Sequence, residues 1–139
     1  MIHTNFHQHY PRRIYEDDYQ KILQVKERIM FDLSKSLSIN QLADKANMSP
    51  TKFRSLFLEI FGMSIYQYHL NARIELSKQL LMNNELTIIQ IAYKVGYNSS
   101  QSFAKAFKKH VGQTATDFKE SFFKKPQSSH FGHAIWYQK

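Results

Sequence analysis

Residues 87–114, TIIQIAYKVGYNSSQSFAKAFKKHVGQT, nearly repeat residues 38–64, SINQLADKANMSPTKFRSLFLEIFGMS. Ser38-Ile39-Asn40-Gln41-Leu42-Ala43 matches Thr87-Ile88-Ile89-Gln90-Ile91-Ala92 at an offset of 49. Past the next turn the offset is 50, so Ser49 maps to Ser99, Phe53 to Phe103, Phe57 to Phe107, Gly62 to Gly112 and Ser64 to Thr114. One residue has been added around Val95-Gly96-Tyr97-Asn98. Two copies of one supersecondary unit are the simplest reading.

Each copy opens on a capping box, Ser38-x-x-Gln41 and Thr87-x-x-Gln90, which satisfies two orphan amides at a helix start. Ser64-x-x-Gln67 has the same pattern, Thr114-x-x-Asp117 a looser one, and Ser49-Pro50 puts a capping hydroxyl before a first-turn proline. Apolar spacing then predicts the helices. A first one over 16–33, with Glu16, Asp17 and Asp18 in its first turn, buries Ile22, Val25, Ile29 and Leu33. Short helices over 39–46 and 88–95 carry Leu42, Ala43 and Ala46, and Ile91, Ala92 and Val95. Longer ones over 50–61 and 100–111 bury Phe53, Leu56, Phe57 and Ile60, and Phe103, Ala106, Phe107 and Val111. A connecting helix over 64–82 is expected to bury Tyr66, Leu70, Ile74, Ser77 and Leu81, and a last helix over 115–124 uses Phe118 and Phe122. The expected fold is all-α, about seven helices, with two helix-turn-helix subdomains on a long central helix. The expected organisation is an extension over 1–15, a first subdomain over 16–63, the connector over 64–82, a second subdomain over 83–124 and a tail over 125–139.

Composition agrees. The 139 residues include only 4 Gly and 3 Pro, too few for a turn-rich β-sandwich. The absence of Cys excludes disulfides, thiol catalysis and Cys-ligated metal sites. No apolar signal segment opens the chain and no run of 18 apolar residues occurs, so a cytoplasmic chain with no membrane partner is expected. The placeable polar residues form no convergent acid/base pair and no nucleophile–base spacing, so no enzyme and no cofactor is expected. His3, His7, His9, His130 and His133 lie in terminal segments without a supporting Cys, which argues for incidental chelation rather than a metal site. Arg73 is expected in a structural ion pair with Asp44 or Glu59. The aromatics Phe131, Trp136 and Tyr137 of the tail are expected to dock on the body or on a partner.

The formal net charge of +8 points to a polyanionic partner. Between Glu85 and Asp117 there is no acid, while Lys94, Lys105, Lys108 and Lys109 fall inside that window. Small Ala43 and Ala92 let the paired helices approach. Asn47 and Gly96, four residues later, are the residue types that best tolerate a left-handed turn. Subtracting the apolar stripes leaves Thr51, Lys52, Arg54 and Ser55 outward on the first long helix. The second leaves Ser100, Gln101, Ser102, Ala104, Lys105, Lys108 and Lys109, with Ser99 at its start. Thr51, Arg54, Ser55, Gln101 and Lys105 are the candidates for reading base edges of double-stranded DNA, and Lys108 and Lys109 those for phosphate. The capped helix starts at Ser38–Gln41 and Thr87–Gln90 offer backbone amides to the sugar-phosphate chain. A connector of 19 residues is a rod of about 28 Å, close to the roughly 34 Å between successive major grooves on one side of the duplex. One chain then fills adjacent grooves as a monomer on an asymmetric site.

These residues resemble the AraC/XylS-type transcription regulators. The likeness covers about 36–120 plus the first helix. It rests on the two repeats, on Arg73-Ile74…Leu80-Leu81, and on Ile91-Ala92, Gly96-Tyr97, Ser100-x-x-Phe103, Phe107-Lys108-Lys109 and Gly112-x-Thr114. The resemblance implies two helix-turn-helix subdomains, a promoter site, and activation through RNA polymerase in the bacterial cytoplasm, nucleoid-associated when bound. It places base contacts on Thr51, Lys52, Arg54 and Ser55, and on Ser100, Gln101, Ala104 and Lys105. Three positions depart from the family pattern: Ala115 replaces the usual Pro, Ser77 the usual Ala, and Ala104 offers only a methyl. Most members also carry a ligand-binding or dimerisation domain, which neither flank is long enough to supply. The competing reading is a protein-interaction adaptor that keeps the fold without binding DNA.

Overall fold

The computed structural model describes residues 14–124. The terminal histidines and the tail aromatics therefore lie outside the described residues. Within them are seven α-helices and no strand: α1 Glu16–Phe31, α2 Ile39–Lys45, α3 Pro50–Phe61, α4 Ile65–Asn83, α5 Ile88–Lys94, α6 Ser100–Val111 and α7 Ala115–Phe123. α1 ends two residues before its expected limit, yet Leu33 stays buried in the following loop.

Local chemistry accounts for the boundaries. Ser49, Ser64, Thr87, Ser99 and Thr114 each accept a hydrogen bond from the amide three residues on, at 3.0–3.1 Å. The Ser38 bond to the Gln41 amide is longer, 3.4 Å. The reciprocal half of a capping box forms at α5, where the Thr87 amide donates to Gln90 Oε1 at 2.9 Å. At α4 the Gln67 amide group instead donates to Asn71 Oδ1 at 2.9 Å, because the next turn of the same helix offers an acceptor.

The two interhelical turns share one hydrogen-bond pattern. Met48 N–H donates to the Ala43 carbonyl and Tyr97 N–H to the Ala92 carbonyl, both at 2.9 Å. Asn47 N–H donates to Asp44, and Gly96 N–H to Tyr93, both at 3.0 Å. These are Schellman closures, with Asn47 at φ 54° and Gly96 at φ 105° in the left-handed position the motif requires. The residue added in the second copy lengthens the loop after this closure, ahead of Ser99.

Two apolar cores result. In the first, α1 lays Ile22, Val25 and Ile29 over Ala43, Phe53, Leu56 and Phe57. In the second, Ile91, Ala92, Val95, Phe103 and Phe107 close on α4 and α7. The Phe57 ring meets Tyr68 edge-on at 5.4 Å, and Phe107 meets Phe118 in the same way at 5.6 Å.

α4 belongs to both cores, which corrects the single stripe expected for it. Ile65, Tyr68 and Ala72 face the first core; Leu70, Ile74 and Leu81 face the second, and Leu76 touches both. The expected stripe is the second core's row continued upstream past the end of that core, so it reaches Tyr66, which is 57% exposed. Phe122 is likewise outside, 53% exposed, with its ring 5.0 Å from that of Phe118. Ser77 is fully buried and satisfies its hydroxyl on the Ile74 carbonyl at 2.7 Å, as a small residue on a crowded helix face does.

Arg73 pairs with neither Asp44 nor Glu59. Its Nε donates to the Leu33 carbonyl at 2.8 Å, and Nη2 donates to the carbonyls of Ser34 and Lys35 at 3.4 and 3.2 Å. The loop after α1 turns its carbonyls toward the connecting helix, and a guanidinium, with several donors, fills such a cluster better than one carboxylate would use it.

Candidate nucleic-acid interface

α3 and α6 occupy equivalent places as the second helix of each turn, and each buries its aromatic stripe while leaving a polar face in solvent. On α3 that face is Thr51, Lys52, Arg54 and Ser55, all exposed. On α6 it is Gln101, Ser102, Ala104, Lys105, Lys108 and Lys109, all exposed, with Ser99 and Ser100 half-buried at the start. The burial of Phe53, Leu56 and Phe57, and of Phe103 and Phe107, determines these orientations: with that stripe inward, the polar residues on the opposite side of each helix face solvent.

The two faces differ in how far their groups are already engaged. Lys52 Nζ lies 3.0 Å from Asp18 Oδ2 of α1, an ion pair that ties α3 to the first helix and offsets its charge. Asp18 was legible only as a helix-start acid, since a contact between residues so far apart in sequence leaves no periodic signal. Ser99 caps α6, and its hydroxyl also bonds the Ser102 hydroxyl at 3.0 Å, so both serines support the helix start. Arg54, Lys105, Lys108 and Lys109 make no ion pair among the described residues. The basic last turn of α6 places Lys108 and Lys109 at the negative end of the helix dipole, which is one local reason for two adjacent lysines there.

Among the described residues there is no cluster of three metal-ligating side chains, and no helix is long and apolar enough to cross a membrane. The buried histidine lies elsewhere: His69 of α4 is 7% exposed. Burial, reinforced by the nearby Arg73 charge, pushes its imidazole from 6.5 down to about 4, so it is neutral at pH 7.

Known proteins share this arrangement. Residues 42–121 match a family model described as a helix-turn-helix domain. The Msm operon regulatory protein of Streptococcus mutans is 35% identical over 97 residues, covering 70% of this chain and 35% of that protein. The chain thus spans about a third of the length of that curated relative. An AraC-type transcriptional regulator from Chromobacterium violaceum has a TM-score of 0.69 at 20% identity, over 81% of this chain and 100% of its own. The DNA-binding domain of AdpA, a global transcriptional factor crystallised with a target DNA, has the same TM-score at 17% identity, over 81% of this chain and 97% of its own. Two matching turns, two second helices with polar faces, and a family match that spans both units have one explanation: the chain belongs to the AraC/XylS-type helix-turn-helix family, a family of DNA-binding transcription regulators rather than enzymes.

Proposed function

We propose that this chain binds double-stranded DNA at a promoter site, with α3 and α6 in adjacent major grooves and a single chain occupying an asymmetric site. One observation carries this reading. The repeat places an outward polar helix in each of two equivalent units, and Arg54, Lys105, Lys108 and Lys109 stand there exposed and unpaired among the described residues. α4, 19 residues long, separates the units by a rod of about 28 Å, commensurate with one duplex turn. Thr51, Arg54, Ser55, Gln101 and Lys105 read base edges; Lys108 and Lys109 hold phosphates. Lys52 exchanges Asp18 for the duplex or stays paired and contributes little. Ser99, Ser100 and Ser102 set the start of α6 against the backbone, and Ala104 offers only methyl contact. The AdpA domain, a protein of this fold crystallised with a target DNA, supports duplex DNA as the partner. By family likeness the bound chain activates transcription with RNA polymerase on the bacterial nucleoid.

Selection of bound fragments from a random duplex pool tests the reading. It predicts a bipartite, non-palindromic site and an affinity that falls steeply with added salt, by several powers of the salt concentration for several phosphate contacts. Failure to enrich any duplex, or binding that ignores salt, would leave the adaptor reading in its place. Run-off transcription from the enriched site, with and without the chain, separates activation from repression.

A further inference from the structure

The guanidinium of Arg73 lies where the two units meet. On one side it donates to the carbonyls of Leu33, Ser34 and Lys35, in the loop of the first unit. On the other its Cζ stands 5.5 Å from the centre of the Tyr97 ring, in the turn of the second unit. The Tyr97 hydroxyl is buried without a hydrogen-bond partner among the described residues, so what this residue offers Arg73 is its ring face. That ring continues to Phe103 of α6 at 5.6 Å. The backbone at Gly96 presses on the same group. A Cβ there would lie 2.6 Å from Arg73 Cζ and 2.9 Å from the Ser34 carbonyl oxygen, and would collide with Nη2. Loop 33–35, Arg73, the Gly96–Tyr97 turn and the core of α6 therefore form one continuous contact chain from the first unit to the reading helix of the second.

We propose that Arg73 is a positioning residue that locks the second unit against the first, and so sets the half-site spacing this chain accepts. The proposal rests on the two-groove reading above. α4 fixes the axial distance between the units. The three carbonyls and one ring gripped by Arg73 lie off the helix axis, where they oppose rotation and tilting of one unit against the other. A methionine of similar length keeps the apolar stem and loses every donor. A lysine keeps the charge, but a single ammonium cannot both span the carbonyls and reach the ring.

Two measurements test it. Since the chain has no native cysteine, spin labels at Asn40→Cys in α2 and Thr116→Cys in α7, both exposed, report one inter-unit distance without DNA. A narrow distribution is expected with Arg73, and a broader one in Arg73→Met and Arg73→Lys. Should Arg73→Met not fold, Arg73→Lys and Gly96→Ala, which drives a methyl into the contact, carry the comparison. An unchanged distribution in the folded variants overturns the lock. The second measurement uses the selected duplex with one base pair inserted between the halves, a displacement of about 3.4 Å plus a rotation. The native chain should lose about tenfold or more in affinity; Arg73→Lys should lose less than about threefold, while its affinity for each half-site alone stays as it was. Equal sensitivity to spacing in both proteins defeats the proposal. A native chain that enriches no duplex defeats the DNA reading instead, and the label distances still decide the role of Arg73.

Discussion

The two units close their turns with the same hydrogen bonds, yet not with the same residues. The first uses Asn47 followed by Met48, the second Gly96 followed by Tyr97. Asn47 sits in solvent, where a side chain tolerant of the left-handed region has room. Gly96 faces Arg73 and the Ser34 carbonyl, where any Cβ collides. The units also differ in their outer layer. α1 covers the first and neutralises Lys52 through Asp18, whereas α7 covers the second and leaves the lysines of α6 unpaired among the described residues. One backbone module thus accepts different residues according to what the rest of the fold brings against it, and its charge is spent or kept in the same way.

The largest effects should show what the units share. Phe57→Ala and Phe107→Ala each remove a fully buried ring and should each cost about 3–5 kcal/mol in urea unfolding. Similar losses mean equivalent cores; a loss confined to one variant would break the equivalence. The turns should then part company. Gly96→Ala should cost about 1–3 kcal/mol from strain and collision, while Asn47→Gly should stay within about 0.5 kcal/mol of the native chain. Equal costs would mean that the Arg73 contact constrains nothing.

On the selected duplex, Arg54→Ala and Lys105→Ala should each weaken specific binding by about 1–3 kcal/mol and relax preference locally. Lys108→Ala should weaken every sequence alike and flatten the salt dependence by about one unit of slope. Lys52→Ala should have the smallest effect of the four, since Asp18 already holds that ammonium. A Lys52 loss equal to that of Lys105 would mean that the duplex displaces Asp18.

The last effect concerns acid. His69, packed against the first unit's Leu33, titrates near 6.5 when unfolded and at about 4 when folded. Between those values the unfolded chain takes up a proton that the folded chain refuses, so stability holds above about pH 6.5 and falls as pH drops toward 4, then levels off. The second unit has no buried histidine among the described residues, so amide exchange should quicken first in the first unit. His69→Gln should flatten the slope; an unchanged slope assigns the acid sensitivity to other groups.

Most of this architecture was legible because its signals are local. Hydroxyls at Ser49, Ser64, Thr87 and Thr114 mark helix starts, the spacing of Phe53 and Phe57 and of Phe103 and Phe107 marks inward faces, and Asn47 and Gly96 mark the turns. The outward face of each second helix follows by subtraction. Tyr66 and Phe122 were misplaced because a periodic stripe says which side of a helix is apolar and not where the opposing core stops. Arg73 was read as structural but given carboxylate partners, because backbone carbonyls carry no identity in a sequence.

The order of residues alone determined two copies of a capped helical pair, their joining rod and the polar sides they present, since capping and helical period act within a few residues. Only the tertiary structure decided that α4 serves two cores, that Asp18 occupies Lys52, and that Arg73 bridges loop 33–35 to Tyr97. Those contacts join residues far apart along the chain, and their existence depends on the angle at which packed helices cross, a quantity that no local pattern encodes.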